Sequence, residues 1–194
     1  MAQPLIKDQT LSYPEFQALE TDNPEKRYEF YDGKVWEMEA TTIRHNFIVR
    51  NTMMALDTFY RPSGCRAITE NVRFAFEENK YGFYPDVMVV CNFNPRDSTV
   101  TNPLIIVEVL SEATSSNDLG SKLDAYQRCP SLKAYIIVEQ KQCWVRVYEK
   151  PGDFWQMHSI LNAMGEMIVL ESLGLTLSLE VIYQDIEFDE PSSL

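Results

Sequence analysis

Apolar and polar positions along the chain predict a series of strands. They alternate over residues 72–76, as in a strand with one buried face. Residues 104–110 are almost wholly apolar, as expected of a central strand that is covered on both faces. The pair Asp32-Gly33 separates two strand-like segments, residues 28–30 and 35–38, and predicts a hairpin with a tight turn. Further strands are predicted at residues 84–90, 135–138, 144–148, 154–160 and 167–170.

Three helices are predicted between these strands. The first begins with Ser12 followed by Glu15, a capping-box pattern. The second is capped by Thr41 or Thr42, and the third covers residues 118–128. Apolar residues at helical spacing predict the core-facing side of the second helix. These residues are Ile43, Phe47, Met54 and Leu56.

The order of the elements predicts the fold class. Helix, strands, helix, strands, helix and strands follow one another, which is typical of a mixed α/β domain with a central sheet flanked by helices. A length of 194 residues suits one domain, so we expect residues 1–194 to form a single unit. The apolar-rich stretch 168–182 either closes the core as a last strand and helix or contributes a partner surface.

The chain is acidic, with 29 Asp and Glu against 17 Lys and Arg and a formal net charge of −12. Such a chain should not coat nucleic acid or anionic membranes nonspecifically. Residues 151–194 contain eight acids and no Lys or Arg, so they carry −8 of this total. The acidity therefore does not exclude a DNA substrate. If the protein acts on a nucleic acid, the acidic C-terminal face is expected to be turned away from it.

Other features of the sequence predict a cytoplasmic protein. No apolar run approaches the roughly 18 residues that a membrane helix needs. The four cysteines contain no CxxC pair and are predicted to be free thiols, as in a reducing cytoplasm. They are Cys65, Cys91, Cys129 and Cys143. The two histidines, His45 and His158, are too few for a multi-histidine zinc site.

Two carboxylates lie within strongly apolar segments, Asp86 in residues 84–90 and Glu108 in residues 104–110. Carboxylates are rarely buried without a partner or a metal. If the two strands are neighbours, the carboxylates come together, and a divalent cation would neutralise their repulsion. Lys122 on the next helix could hold an attacking water or balance phosphate charge. Alternatively, Asp118 and Lys122 form an exposed ion pair one helical turn apart.

Five parts of the sequence resemble a known family. They are residues 28–33 (YEFYDG), His45, residues 84–87 (YPDV), residues 107–111 (VEVLS), and the run from Asp118 through Lys122 and Tyr126 to residues 134–138 (AYIIV). Over about residues 11–179 the chain resembles the Uma2 (DUF820) family of restriction-endonuclease-like proteins, which is abundant in cyanobacteria.

The resemblance implies the PD-(D/E)XK nuclease fold and Mg²⁺-dependent hydrolysis of phosphodiester bonds in DNA, with Mn²⁺ as an alternative ion. By position, Asp86 and Glu108 would be the metal ligands together with the backbone carbonyl of Val109. Lys122 would supply the lysine that usually stands two residues after the acid, where this chain has Leu110. Further candidates for the neighbourhood of the active site are Glu29, His45 and Tyr126. A nuclease that cuts both strands of a duplex is expected to be a homodimer.

Two other interpretations remain open at this level. In the first, the nuclease fold is a catalytically inactive binding or assembly module of a mobile element or defence system, as the missing lysine at Leu110 would allow. In the second, the protein is structural, and Asp86 and Glu108 form buried ion pairs with arginines such as Arg73 or Arg146. Ser111 and Ser115 are interpreted as capping and turn residues, because no histidine near them in sequence supports a nucleophilic triad.

Overall fold

Thirteen strands and four helices are present in the structure, a computed structural model that describes residues 10–38, 40–69, 71–77, 80–111 and 120–188. The helices are α1 (Tyr13–Asp22), α2 (Ile43–Tyr60), α3 (Ser121–Tyr126) and α4 (Leu179–Ile182). The strands are β1 (Tyr28–Tyr31), β2 (Lys34–Glu37), β3 (Arg66–Thr69), β4 (Arg73–Phe76), β5 (Tyr81–Phe83), β6 (Val87–Val90), β7 (Thr99–Val100), β8 (Pro103–Leu110), β9 (Ala134–Glu139), β10 (Val145–Glu149), β11 (Gln156–Leu161), β12 (Met167–Leu170) and β13 (Leu175–Ser178).

The central layer is a six-stranded sheet with the order β11-β10-β9-β8-β6-β3. Strand β8 runs parallel to β9 and antiparallel to β6, so the sheet is mixed. All but one of the residues of β8 are buried, as its apolar sequence predicts. The predicted mixed α/β class, with helices beside a central sheet, is confirmed.

A five-stranded sheet with the order β2-β1-β5-β4-β7 packs on one face of the central sheet. Aromatic side chains of β4 and β5 meet Met88, Ile106 and Leu110 from the central sheet, and Tyr126 of α3 packs among them. The predicted hairpin of β1 and β2 is confirmed. Asp32 and Gly33 turn the chain with φ values of 46° and 86°, the positive range that such a turn requires.

The opposite face of the central sheet is covered by α2, α4 and the two-stranded sheet β12-β13. Apolar side chains between Ile168 and Ile182 are buried in this core, so the stretch closes the core as a last hairpin and helix. No helix in the described ranges is both long enough and apolar enough to cross a membrane.

The predicted helices are present, but the core-facing side of α2 was predicted only in part, since Leu56 is buried, Phe47 is half-buried and the other two residues are exposed. Ile43 is 74% exposed and Met54 is 57% exposed. Several residues that do face the core are polar, and a hydrophobicity pattern cannot assign them to that side. The buried residues of α2 are His45, Ile48, Val49, Thr52, Leu56, Asp57 and Tyr60.

Asp57 shows why a polar residue faces inward. Its carboxylate accepts hydrogen bonds from the guanidinium groups of Arg66 and Arg61 and from the backbone N–H of Ala67. The hydrogen bond from Arg66 contributes most to holding the pKa of Asp57 well below its ordinary value. Because Arg66 and Ala67 belong to β3, this carboxylate ties α2 to the edge of the central sheet.

Two further predictions are corrected. The strand predicted at residues 84–90 begins only at Val87, so Asp86 lies directly before β6 and not inside it. The third helix is shorter than predicted and begins at Ser121, and the predicted residues 118 and 119 lie outside the described residues.

The prediction that all four cysteines are free is wrong for two of them. Cys65 and Cys91 form a disulfide with their Cα atoms 4.2 Å apart, whereas Cys129 and Cys143 are free. Strands β3 and β6 pair Arg66 with Val90, and the next position along both strands pairs the two cysteines. Their separation of 26 residues in sequence conceals this contact.

Candidate active site

Asp86 and Glu108 come together because β6 and β8 are antiparallel neighbours. The register pairs Val87 with Val107, and one further position places Asp86 opposite Glu108. The backbone N–H of Asp86 lies 3.4 Å from Glu108 Oε2, and Asp86 Oδ2 accepts a 2.7 Å hydrogen bond from the N–H of Val109. The antiparallel pairing therefore brings Asp86 and Glu108, which are 22 positions apart in sequence, into direct contact.

Glu108 is buried, and one of its oxygens receives two hydrogen bonds from α3. Lys122 Nζ donates to Glu108 Oε1 at 3.1 Å, and the hydroxyl of Tyr126 donates to the same oxygen at 2.7 Å. Lys122 and Tyr126 are four residues apart, so they lie on the same face of the helix. Burial, reinforced by the charge of Glu108, raises the pKa of Tyr126 well above 10, which keeps its hydroxyl protonated as a donor.

Lys122 also contacts a carboxylate from the other sheet. Its Nζ lies 2.9 Å from Oε1 of Glu29 on β1, which also accepts a hydrogen bond from the backbone N–H of Tyr84. Lys122 and Glu29 are both buried. The lysine therefore bridges two carboxylates that belong to different sheets.

His45 approaches the same place from α2. It lies in the first turn of the helix and is 2% exposed. Its Nε2 is 3.2 Å from Asp86 Oδ2 and 3.0 Å from the backbone carbonyl oxygen of Val109. Five separate parts of the chain thus contribute to one cluster, in which the Asp86 side chain retains 16% exposure to solvent.

A model of the Uma2 family, described as "Putative restriction endonuclease", matches residues 13–181. The chain belongs to the Uma2 family. The uncharacterized protein slr1290 of Synechocystis sp. is 28% identical over 166 residues, which cover 84% of this chain and 86% of that protein. A second uncharacterized Synechocystis protein, sll1609, is 28% identical over 151 residues, covering 75% of this chain and 84% of that protein.

A solved structure agrees with this assignment. The crystal structure of a protein from Anabaena variabilis, described as a putative nuclease belonging to DUF820, superposes with a TM-score of 0.67. The match covers 82% of this chain and 90% of that chain, at 16% sequence identity. The Uma2 protein therefore has the same fold as that protein, which confirms the predicted fold, while the match of the family model confirms the predicted family.

The structure brings together the residues that the sequence singled out in this Uma2 protein. They are Glu29, His45, Asp86, Glu108, the carbonyl of Val109, Lys122 and Tyr126. Leu110, at the position of the usual lysine, is buried in the core between the sheets. Asp118 and Ser115 lie outside the described residues.

The arginines suggested as partners of the two carboxylates lie elsewhere. Arg73 pairs with Glu20, and Arg146 is near Trp144 and Tyr148. The interpretation that these arginines neutralise Asp86 and Glu108 is therefore wrong. Lys122, Tyr126, His45 and the backbone N–H of Val109 contact the two carboxylates in their place.

Sequence reasoning missed Gln140, which connects α2 to the end of β8. Its side chain donates a 2.7 Å hydrogen bond to the carbonyl of Leu110 and accepts a 2.7 Å hydrogen bond from Thr42 Oγ1. Thr42 in turn caps α2 by accepting from the N–H of His45. The available signal was the polar pair Glu139-Gln140 at the end of the apolar run 134–138.

The donor atoms of the cluster fit a divalent cation. Carboxylate and carbonyl oxygens are the ligands that Mg²⁺ and Mn²⁺ prefer. Among the described residues, no three His, Cys, Asp or Glu side chains form a ready metal cluster, so the set depends on the carbonyl of Val109. Counting only the described residues of the cluster, the carboxylates of Asp86, Glu108 and Glu29 and the ammonium of Lys122 sum to two negative charges, which a divalent cation would balance.

Proposed function

We propose that this protein is a metal-dependent DNA endonuclease that hydrolyses phosphodiester bonds. The contact between Lys122 and Glu108, 3.1 Å from Nζ to Oε1, carries the proposal. It puts a lysine from a separate helix beside the paired carboxylates Asp86 and Glu108, although the strand itself has leucine where the nuclease pattern has lysine. Membership of the Uma2 family supports the same reaction class.

Asp86, Glu108 and the carbonyl of Val109 would hold the cation. Oε1 of Glu108 is engaged by Lys122 and Tyr126, and Oε2 is the oxygen that faces the backbone of Asp86. When bound, Mg²⁺ or Mn²⁺ polarises a phosphoryl oxygen and lowers the pKa of a bound water. The partial exposure of Asp86 leaves a side from which a phosphodiester can approach.

Lys122 would act by charge and hydrogen-bond donation. An ammonium group has three donors and no acceptor, so it can orient a water through its oxygen or neutralise charge on a phosphoryl oxygen. Glu29 holds Lys122 from one side and Glu108 holds it from the other, which fixes the long side chain near the reacting phosphate. Tyr126 and Glu29 are then positioning residues.

The decisive measurement is plasmid and oligonucleotide cleavage by the purified protein with Mg²⁺ or Mn²⁺. We expect Glu108→Gln and Asp86→Asn each to lower the rate by at least about 100-fold, because each removes a charged ligand. Glu149→Gln is the matched control, since Glu149 is an equally buried carboxylate of the central sheet that contacts His158 and Ser172. This control should keep the activity.

An inactive binding module would behave differently. The wild type would cut no DNA with any divalent cation on duplex, single-stranded or branched substrates, and titration calorimetry would detect no metal binding that depends on Asp86 and Glu108. That combination would overturn the proposal. Loss of activity in Glu149→Gln to the same degree as in Glu108→Gln would also count against it, because a general loss of folding would then explain both.

The proposed enzyme acts as a homodimer, since a twofold assembly matches the two antiparallel strands of a duplex. Its acidic C-terminal region faces away from the DNA, because residues 151–194 carry eight acids and no Lys or Arg. Light scattering coupled to size exclusion tests the first statement. Charge reversal in this region by Glu180→Lys, which should leave cleavage unchanged, tests the second.

A further inference from the structure

We infer that His45 is a ligand of the catalytic cation, so that the site binds Mn²⁺ or a similar transition metal through an imidazole nitrogen in preference to Mg²⁺. This inference rests on the proposed function, because it concerns the cation held by Asp86 and the Val109 carbonyl. It adds a nitrogen ligand to a set that otherwise consists of oxygens, and it predicts which metals the site prefers.

Three donor atoms converge at this point. His45 Nε2 lies 3.2 Å from Asp86 Oδ2 and 3.0 Å from the carbonyl oxygen of Val109. Neighbouring ligands of an octahedral ion with bonds of about 2.1 Å are separated by about 3.0 Å. The imidazole nitrogen therefore stands at ligand spacing from both of the oxygens assigned to the cation.

Proline explains why the Val109 carbonyl is available. Two positions beyond the Val87–Val107 pair, the register places Pro85 opposite Val109. The N–H and C=O of one strand residue point to the same side, and the Val109 N–H points toward β6, where it meets Asp86. Proline has no N–H to donate, so the Val109 carbonyl is not bonded by the neighbouring chain at Pro85 and faces His45.

The position of His45 is fixed by the start of α2. Thr42 caps the helix at the N–H of His45, and Thr42 is itself bound to Gln140, which holds the carbonyl of Leu110. The end of β8 and the first turn of α2 are thereby joined. A buried imidazole held in this way needs little reorganisation to bind a metal, which favours affinity.

The ligand set determines the metal preference. Sites made of carboxylate, carbonyl and water oxygens suit Mg²⁺, whereas imidazole favours transition metals. A mixed set of one nitrogen and two or more oxygens should bind Mn²⁺ or Co²⁺ more tightly than Mg²⁺. If His45 instead only donates a hydrogen bond to Val109 and Asp86, it would have no direct effect on this preference.

Pulsed electron paramagnetic resonance of the Mn²⁺-loaded full chain tests the inference directly. The chain contains two histidines, His45 and His158, so protein labelled with ¹⁵N only at histidine gives an unambiguous coupling. We expect this coupling in the wild type and in His158→Asn, and its loss in His45→Asn. Calorimetry should show Mn²⁺ affinity falling by at least about tenfold in His45→Asn, with a smaller change for Mg²⁺.

Three outcomes would overturn the inference that His45 is a metal ligand. Mn²⁺ that binds through Asp86, as shown by its loss in Asp86→Asn, but without histidine coupling in the wild type would refute His45 as a ligand and leave the proposed nuclease intact. Coupling that disappears in His158→Asn and persists in His45→Asn would assign the metal to another place. A wild type that binds no Mn²⁺ would refute the metal site itself. The wild-type spectrum is decisive even if His45→Asn fails to fold.

Discussion

Lys122 on α3 and Glu108 on β8 form an ion pair inside the protein, with 3.1 Å between Nζ and Oε1 and side-chain exposures of 5% and 4%. Water cannot solvate either charge effectively at this depth, so each depends on its partner. Glu29 extends the pair into a carboxylate–ammonium–carboxylate series. The same side chains thus serve the stability of the fold and the proposed chemistry.

Replacing Lys122 by methionine should destabilise the metal-free protein by about 3–5 kcal/mol, because Glu29 and Glu108 would remain buried without their cation. Urea unfolding measures this change. Lys80→Met is the matched control, since Lys80 forms an exposed pair with Asp32 and its loss should leave the free energy of unfolding nearly unchanged. Equal effects of the two substitutions would show that the buried pair does not stabilise the fold.

Tyr126→Phe removes one of the two donors to Glu108 Oε1. A hydrogen bond to a charged group is worth about 1.5–3 kcal/mol, so we expect a loss of that size in urea unfolding and a slower rate of DNA cleavage. Tyr148→Phe serves as the control, because the Tyr148 hydroxyl accepts a long 3.4 Å hydrogen bond from Arg146, which is a weak contact. A cleavage rate unchanged by Tyr126→Phe would argue against its positioning role.

Asp57→Asn should weaken the attachment of α2 to β3 in a pH-dependent manner. The pKa of Asp57 is lower in the folded protein than in the unfolded chain, so its stabilisation is complete above the unfolded value and is lost as the pH falls toward the folded value. Urea unfolding between pH 7 and pH 2 should therefore show that the variant has a lower free energy of unfolding than the wild type at pH 7. This deficit in stability should shrink below about pH 4.

A suitable control for this series is Asp153→Asn, since Asp153 is an exposed carboxylate. It should track the wild type at every pH. If the deficit of Asp57→Asn were constant down to pH 2, packing and not charge would account for its contribution.

Reduction of the Cys65–Cys91 disulfide should lower the free energy of unfolding by about 3–4 kcal/mol, as expected for a loop closed by a 26-residue separation. Thermal unfolding with and without dithiothreitol measures it. The double variant Cys65→Ala/Cys91→Ala should be insensitive to the reductant. Thiol titration of the unfolded, non-reduced protein should detect two cysteines, and a count of four would contradict the disulfide.

Features with local causes were predictable from the sequence. The capping box of Ser12 and Glu15 and the turn at Asp32-Gly33 depend on residues a few positions apart, and both are present. The central strand was predictable because nearly every residue of Leu104 to Leu110 is apolar and buried. Asp86 and Glu108 stood out for the same reason, as charges in an apolar setting.

Features that depend on distant contacts were not predictable. The inward side of α2 includes Asp57 because two arginines and a strand N–H lie opposite it, and no pattern within the helix reveals this. The disulfide depends on the pairing of β3 with β6. Likewise, the sequence did not indicate whether Glu29 faced Lys122 or solvent, because that depends on how the two sheets pack.

In the usual pattern, one strand supplies both the acidic metal ligand and the lysine. In the proposed site, β8 supplies Glu108 and α3 supplies Lys122, so position 110 of the strand is available for core packing. Leu110 on β8 is 4% exposed and fills space among aromatic side chains, where a lysine would have to bury a second charge beside Glu108. The desolvation cost of the lysine therefore falls on α3, where Lys122 is paired with both Glu29 and Glu108. The position of the proposed catalytic lysine then depends on how α3 packs and not on the register of β8, so strand pairing and lysine placement can change independently in evolution.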